Sequence, residues 1–546
     1  MKKTILKSFS MASLLLLIYG CAALGADEEG GPSPMSKDDD GDYDAGAGDE
    51  GSDLDVDTDT DTDTDMDSDA DDGYPPEIEE KADYKVPQGS GRYVFIADEA
   101  HDAVVVVDSE TLNIEVVDVG SRPTHLVPLG DNNAAMVLNL DSDEVTVLRL
   151  NASGKTETLD LDVRPDTNAL AASDDGRYVI AFHDPQFTAE SGAPNTDQEI
   201  TVIETEKSRE KAHHMTVGMH PWKIVYNNAG NNAYVITEEG INIIDLEDVE
   251  NIGIPPIVSP FGGNPVDPGE VDIEITPDGS LAVIRQDMSG TITTAALDDS
   301  NDIREYDLGT VPTDLDIADD GSFGLLVLRS LGQIAFFNLP LPQDPEEDPF
   351  DRVDLEGVVA GVATITPDGK NVLLHTTTAG TSEDQQRLSL LSRNGKEWNI
   401  KSVLLERKIR AVAAGVDSQT SVVIHQKTTS SANTQPYSYS LVKIPVMQVK
   451  FQQIPVEPGQ LLLTPDGSHG FLLLEPVRMT EVIYLDDFIV DRLQLGSAPT
   501  AAGYTSLTQR VFIAQDHPAG RMTFIELPDM SVKTVTGYAL NDEITE

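Results

Sequence analysis

The sequence predicts an all-β fold, a β-propeller of about ten four-stranded units that follows a disordered acidic linker. A turn signal rich in Gly, Asp, Asn and Pro recurs about every 46 residues, and four-stranded propeller blades have a period of ~40–45 residues. Short runs rich in Val, Ile and Tyr lie between the turns, as expected for antiparallel strands. Because propellers typically have about 4–8 blades, ten units indicate one large ring or, alternatively, two associated rings.

Ten turn landmarks mark the repeat. Each landmark is followed by an apolar run, a polar loop, a second apolar run and a more polar strand. The landmarks lie at residues 87–89, 131–132, 174–176, 228–230, 277–279, 319–321, 367–369, 417–418, 465–467 and 507–508.

Several motifs within these units resemble a known repeat. The run VVVVDSET at residues 104–111 is followed by VGSRP at 119–123, and the turns ITPDG and LTPDG stand at 275–279 and 463–467. Together they resemble the YVTN-type β-propeller repeat, and the likeness extends over about residues 87–546. The resemblance implies a fold and leaves the function open.

The N-terminus indicates export and lipidation. Three lysines precede an apolar stretch, residues 11–18, which is too short to span a bilayer because a spanning helix needs ~20 residues. Gly20 and Cys21 then resemble the lipobox of bacterial lipoproteins, and this resemblance implies that Cys21 is acylated and becomes the first residue of the mature chain. The alternative is a plain cleaved signal with an incidental cysteine. The predicted domains are a signal peptide at 1–20, the lipidated cysteine and tether at 21–85, and the propeller at 86–546.

The residue after the cysteine bears on the location. In lipoproteins a residue other than Asp at this position favours the outer membrane, and Ala22 stands there. We therefore expect an outer-membrane lipoprotein that is held to the membrane by its lipid anchor and faces the periplasm or the exterior. Cys21 is the only cysteine in the chain, which excludes disulfides, haem attachment and cysteine-ligated zinc.

Residues 27–85 form the acidic tether. They hold 25 acidic and three basic residues, with Asp-Thr alternation at the centre. Such a segment cannot bury enough apolar surface to offset its conformational entropy, so we expect disorder. Its residues 67–73 are similar to the start of a calcium loop, but Gly73 and Ile78 fall at the seventh and twelfth positions. Because that loop needs Gly at position six and Glu at position twelve, we expect weak, diffuse cation binding.

The rest of the chain is acidic as well. Outside the tether and the signal lysines there are 71 acidic and 30 basic residues, a net charge of −41. Such a surface repels phosphate backbones, so nucleic-acid binding is not expected. Basic or cationic partners fit the charge better.

Seven histidines define a candidate binding face. In a propeller blade, the loop between the second and third strands lies on the same face as the bend into the next blade, and binding residues usually lie on such loops. The alternative is that polar loops collect histidines without any function. The residues and inserts predicted on this face are His101, His125, His183, His220, His375, His425 and His517, with inserts at 184–198, 379–386 and 427–437.

A metal site at the channel mouth is the alternative. His125, Asp272 and Asp314 occupy comparable positions on innermost strands, and propeller lactonases use acidic and Asn side chains there to hold a metal. However, the sequence contains no zinc or two-metal spacing, nucleophile elbow, phosphate loop or HExxH motif. We therefore predict a non-enzymatic binding or scaffold module without a cofactor, for a protein, peptide or envelope polymer. A hydrolase of lactonase type is the second hypothesis.

The last expectation concerns ring closure. With its first turn at Gly89, unit one has no innermost strand of its own. We predict that residues 537–544 supply this strand and pair with residues 93–97. The competing segment is 82–86.

Overall fold

The computed structural model describes residues 15–16, 86–185, 198–251, 253–298, 302–342, 344, 347–378, 380–394, 397–428 and 435–539. Cys21, the acidic tether and most of the 184–198 and 427–437 inserts lie outside the described residues. Every described strand lies in one compact unit, formed by residues 1–18 and 70–546. In the described part of the chain, no helix has the length and apolar character needed to cross a membrane.

Ten antiparallel sheets, the blades, form one ring. Each blade is a meander of four strands that are consecutive in sequence, with the first strand innermost. The prediction of about ten four-stranded units is therefore confirmed, and the alternative of two rings is wrong. One further short strand, Leu15–Leu16, pairs antiparallel with Leu461 and Leu462 in blade 9.

The blades are numbered in chain order and their strands run from the inside outwards. The strands of blades 1 to 5 are Gln88–Ser90, Tyr93–Asp98, Ala103–Asp108 and Ile114–Asp118; Pro123–Pro128, Ala134–Asn139, Glu144–Leu150 and Thr156–Asp162; Ala169–Ala172, Tyr178–Phe182, Glu199–Glu204 and Lys211–Thr216; Lys223–Tyr226, Asn232–Thr237, Gly240–Asp245 and Ile257–Val258; Val271–Ile275, Leu281–Gln286, Thr291–Ala296 and Ile303–Asp307. Those of blades 6 to 10 are Asp314–Ile317, Phe323–Leu328, Gln333–Asn338 and Phe350–Asp354; Val362–Ile365, Asn371–His375, Arg387–Asn394 and Glu397–Leu404; Ile409–Ala414, Thr420–His425, Tyr437–Lys443 and Gln448–Ile454; Leu461–Leu463, His469–Leu474, Met479–Tyr484 and Ile489–Gln494; Ala498–Thr505, Arg510–Asp516, Arg521–Glu526 and Ser531–Thr536.

The hydrophobic core lies between the blades. The second and third strands are rich in Val, Ile and Leu and are buried on both faces, as in Ala103–Asp108, because each sheet packs against the blades on both sides. The fourth strands have a free edge and are largely exposed. Thr156–Asp162 carries three acidic side chains there, and charges on an edge strand discourage pairing with another chain.

The repeated turn between the first and second strands has a simple cause. In ITPDG, the Asp278 carboxylate accepts hydrogen bonds from the Thr276 hydroxyl (2.7 Å) and from the Ser280 amide N–H (3.0 Å). Gly279 follows with φ 75°, a left-handed conformation in which a residue with a Cβ is strained. The same bonds recur around Asp368 and Asp466.

The ring closes differently from the prediction. The innermost strand of blade 1 is Gln88–Ser90, which pairs with Tyr93–Phe95. Gly89 is therefore inside a strand, and the first turn follows it at Gly91. A Cβ on Gly89 would collide with the Tyr504 carbonyl oxygen of blade 10, so glycine permits the close approach of the two innermost strands. The predictions that residues 537–544 or 82–86 supply this strand are both wrong.

The end of the described chain instead forms a clasp, residues 537–539, beside the closure. The Gly537 and Ala539 amides donate hydrogen bonds to the Ala519 carbonyl (3.0 and 3.2 Å). Tyr538 lies over Gly520 and belongs to the hydrophobic cluster between blades 10 and 1, with Val94 among its members. The clasp stabilises the seam between the first and last blades through packing, not through a shared strand.

Candidate functional site

The connections of each blade define two faces of the ring. The turn face carries the connections between first and second strands and between third and fourth strands. The loop face carries the connections between second and third strands and the bends between blades. These definitions follow from the meander order of the strands.

A groove of about 1020 Å³ lies on the turn face, where blades 10, 1 and 2 meet. We call it the closure groove. Its walls are the third–fourth connections of blade 1, residues 109–113, and of blade 2, residues 151–155, with the first turn of blade 10, residues 506–509. Ligand sites typically have volumes of ~300–1,000 Å³, so the groove is large enough for a peptide or oligomer.

Alternating charges cross the blade 1 side of the groove. Arg92 donates hydrogen bonds to both carboxylate oxygens of Asp108, the Nε–Oδ1 distance being 2.7 Å. A further Arg92 nitrogen, Nη1, lies 2.6 Å from Glu110 Oε2. Burial opposes the charged form of Asp108, but hydrogen bonds from Arg92 and Thr111 outweigh it and lower its pKa to about 2.

The row of charges continues into blade 10. Arg510 Nη2 donates to Glu526 Oε2 at 2.8 Å, while Nη1 donates to the backbone carbonyls of Ser109 and Glu110. One guanidinium therefore joins the first and last blades, 401 positions apart in sequence. The hydroxyls of Ser109 and Thr508 add a 2.7 Å hydrogen bond across the same seam.

In this row of charges, most of the hydrogen-bonding positions that remain unused are acceptor positions. The Arg510 side chain is 8% exposed, whereas Glu110 and Glu526 are 58% and 41% exposed. A carboxylate has about four acceptor positions, while a guanidinium has five donors and no acceptor. Since the two arginines already make six bonds to oxygen atoms within the row, the groove offers mainly oxygen acceptors to a ligand.

The turn of blade 1 explains the DSET motif. The Asp108 carboxylate accepts hydrogen bonds from the amides of Glu110 and Thr111 and from the Thr111 hydroxyl (2.7 Å). This network fixes the connection that carries Glu110. In the neighbouring turn of blade 2, Asn151 Oδ1 accepts from the Ser153 and Lys155 amides, which fixes the opposite wall.

The seven predicted histidines lie where the strand order places them, on or just inside the loop face, opposite the closure groove. His101 and His220 are partly exposed and lie 2.8 Å from Asp98 and Glu238, respectively. His517 Nδ1 accepts a hydrogen bond from the Ala519 amide. The structure distributes these histidines over separate blades and does not bring them together into one site. Their role in binding stays a prediction.

The other four histidines are buried. His125 and His183 are 5% and 4% exposed, and the Nδ1 atom of each lies within hydrogen-bond distance of an oxygen atom. Burial lowers the pKa values of His375 and His425 to about 4. His425 Nε2 lies 2.8 Å from Ser440 Oγ, but both residues are at most 2% exposed, so this Ser–His pair is closed to a substrate.

Of the three candidate metal ligands, His125 lies apart from the two aspartates. Asp272 and Asp314 lie on the innermost strands of adjacent blades 5 and 6, while His125 lies in blade 2. Arg285 is within 3.5 Å of Asp272 and supplies a positive charge where a metal ion would have to bind. Among the described residues, no three His, Cys, Asp or Glu side chains form a group that could hold a metal ion.

Asp314 has a structural role instead, together with Asp316. Their carboxylates accept hydrogen bonds from the Ala363 and Ile365 amides of blade 7, at 2.7 and 2.9 Å. Burial, reinforced by the Glu274 carboxylate, raises the pKa of Asp316 to about 8. Burial also raises the pKa of Asp314, with added repulsion from Asp316. These two carboxylates form the channel seam between blades 6 and 7.

Sequence reasoning missed the closure groove because its parts are distant in sequence. Two signals were available. The DSET motif marks one wall, and Arg92 and Arg510 both stand at the start of a second strand. Only ring closure brings these positions together.

Comparisons with known proteins give fold likeness only. No family model and no curated protein matches the sequence. Solved structures that are similar include a eukaryotic initiation factor (10% identity, 73% of this chain and 94% of that chain, TM-score 0.48). AztD from Citrobacter koseri is 11% identical over 65% of this chain and 93% of its own, with a TM-score of 0.35. The periplasmic gluconolactonase PpgL of Pseudomonas aeruginosa is 16% identical over 58% and 93%, with a TM-score of 0.32. At these identities and TM-scores, none of them carries an argument about function.

Proposed function

We propose that the protein is a non-enzymatic binding module of the cell envelope, anchored through Cys21 and carrying its ligand site in the closure groove. The observation that carries the proposal is the groove itself, a large polar cavity whose charged side chains are held in fixed positions by ion pairs and turns. Such a surface is preorganised for binding, because little side-chain ordering remains to oppose association.

The chemistry of the groove favours binding over catalysis. Its arginines are engaged by carboxylates and backbone carbonyls, and the pKa of Asp108 is about 2. A general base works best with a pKa near the operating pH, and Asp108 is far below it. The lactonase hypothesis stays an untested prediction, since it depends on a metal site that the described residues do not assemble.

A blocking variant tests the site. Asn113 is an exposed residue on the blade 1 wall, and Asn113→Trp fills the groove regardless of ligand charge. Fluorescein-labelled decapeptides of basic, neutral and acidic composition, with a neutral dextran, serve as probes in fluorescence anisotropy. We expect at least one probe to bind, and to bind about tenfold more weakly to Asn113→Trp.

The matched control is Asn251→Trp, on the turn face of blade 4. It should leave binding and melting temperature unchanged. If no probe distinguishes the two variants, the proposal that the groove binds a ligand fails.

The anchor has its own test. Because acylation of Cys21 would hold the chain to a bilayer, Cys21→Ser should move the protein from the detergent-extracted membrane fraction into the soluble fraction. An unchanged membrane fraction would show that another element holds the protein.

A further inference from the structure

We infer that the ligand of the closure groove is a basic polypeptide segment, whose Lys or Arg side chains bind Glu110 and Glu526. This inference rests on the proposed function and specifies its partner. Both glutamates are exposed at the groove, and each is held by an arginine that leaves some of its acceptor positions open.

The hydrogen-bonding capacity of the groove favours a cationic ligand. Glu110 and Glu526 flank the Arg510 guanidinium, which contacts the Glu110 backbone carbonyl (3.1 Å) and the Glu526 carboxylate (2.8 Å). The groove therefore presents two carboxylates that are each held by an arginine, Glu110 by Arg92 and Glu526 by Arg510. Cationic donors form charge-assisted hydrogen bonds with carboxylates, and these are about twice as strong as neutral ones.

The long-range charge of the chain also favours a cationic ligand. The chain outside the tether and the signal lysines has a net charge of −41. Such a field attracts cations and repels anionic polymers before any contact is made. An anionic ligand would have to overcome this field and also displace the carboxylates from Arg92 and Arg510.

The shape and polarity of the groove walls suit an extended peptide. The groove runs between two turns, and its lining includes the amides Asn113, Asn133 and Asn151. Amide side chains both donate and accept hydrogen bonds, as the backbone of an extended peptide requires. Leu507, 62% exposed at the blade 10 side, provides one apolar contact.

One positive charge in the groove would repel a basic ligand. The inference can therefore be tested by a variant that strengthens binding as well as by variants that weaken it. Lys155 is exposed on the blade 2 wall and would repel a basic segment. Lys155→Gln should therefore tighten the binding of a basic peptide about twofold. The double variant Glu110→Gln/Glu526→Gln should weaken this binding about fivefold to tenfold, as expected for the loss of two exposed ion pairs.

The experiment uses the full chain, with fluorescein-labelled (Lys-Gly)5 and (Glu-Gly)5 peptides in anisotropy titrations at low salt. The matched control is Glu206→Gln/Glu383→Gln, which removes the same charge from two glutamates that are each 63% exposed and ion-paired. We expect the basic peptide to bind, the acidic peptide not to bind, and the control to change the affinity by less than about twofold.

The outcomes separate the two proposals. If both double variants weaken binding equally, the attraction is only the general acidity of the surface and the inference fails. If a neutral or acidic probe binds and is blocked by Asn113→Trp, the groove is a binding site with a different partner. If Asn113→Trp changes the binding of no probe, the proposed function fails as well.

Discussion

Two seams of the ring, both made of carboxylates and their partners, behave in opposite ways. At the closure between blades 10 and 1, every carboxylate in the row faces an arginine, and the pKa of Asp108 is about 2. At the channel seam between blades 6 and 7, Asp314 and Asp316 accept hydrogen bonds from backbone amides, among them those of Ala363 and Ile365 of blade 7, and the pKa of Asp316 is about 8.

The difference shows how the burial of a carboxylate and its partners together set its pH response. A lowered pKa means that the stabilisation from Asp108 is present above its ordinary pKa of about 4 and is lost only as the pH falls towards 2. A raised pKa means the reverse for Asp316: its stabilisation is full below pH 4 and is lost as the pH rises towards 8. The closure seam therefore keeps its charge pairs near neutral pH, while the channel seam weakens.

The largest expected effect is at the clasp. Tyr538→Ala removes a buried ring from the cluster between blades 10 and 1, and deletion of a buried aromatic side chain typically costs ~3–5 kcal/mol of unfolding free energy. We expect about 3 kcal/mol in urea denaturation. Tyr538→Phe keeps the packing and should cost less than about 1 kcal/mol. Equal losses in the two variants would show that the hydroxyl, not the packing, holds the seam.

The next effect is at the charge row. Arg510→Ala leaves the Ser109 and Glu110 carbonyls without their donor and Glu526 without its partner. We expect a loss of ~2 kcal/mol, because an unsatisfied buried acceptor costs ~1–3 kcal/mol and Glu526 is partly hydrated. Arg209→Ala, an exposed arginine of blade 3 paired with Glu206, is the control and should cost less than about 0.5 kcal/mol. A similar loss of unfolding free energy in both variants would show that Arg510 contributes no more to stability than an ordinary exposed ion pair.

The smallest expected effect is at the channel seam, where it tests the raised pKa of Asp316. Asp316→Asn cannot ionise but can still accept the hydrogen bond from Ile365. The wild-type protein loses stability at this site as the pH rises from 4 to 8, because Asp316 ionises there. The variant should therefore become more stable relative to the wild-type protein between pH 6 and pH 7, by up to ~1 kcal/mol. Urea denaturation at both pH values measures it. Asp108→Asn should show no such gain in this window, and a pH-independent difference for Asp316→Asn would contradict the raised pKa.

The general fold could be predicted from sequence because each blade carries its own signals. The turn motif around Asp278 is complete within five residues, and the hydrogen bonds that fix it are local. Nine of the ten landmarks lie in the turn between the first and second strands. The first failed because Gln88–Ser90 is only three residues long, and its glycine is explained by the approach of Tyr504 from the other end of the chain.

The site could not be predicted in the same way. Sequence reasoning placed the candidate binding residues on the loop face, since the histidines and long inserts collect there. The closure groove lies on the turn face and consists of short, ordinary connections. The contacts that distinguish this groove, such as the one between Arg510 and Ser109, form only where blades 10 and 1 meet. Contacts between residues so far apart in the chain leave no pattern in a single sequence.

The local construction of the blades has a consequence for folding. The four strands of each blade are consecutive in the described chain, and only the short strand Leu15–Leu16 joins a sheet, that of blade 9, from a distant position. Each blade can therefore form as its four strands become available, with low contact order inside the unit. Among the blades, the meeting of blades 10 and 1 is the step that joins residues about 400 positions apart. A circular permutant that is cut at the bend between blades 5 and 6, with its original termini linked, would keep all ten sheets whole. It would shorten the separation of Ser109 and Arg510 from 401 positions to 145, counted as (546 − 510) + 109.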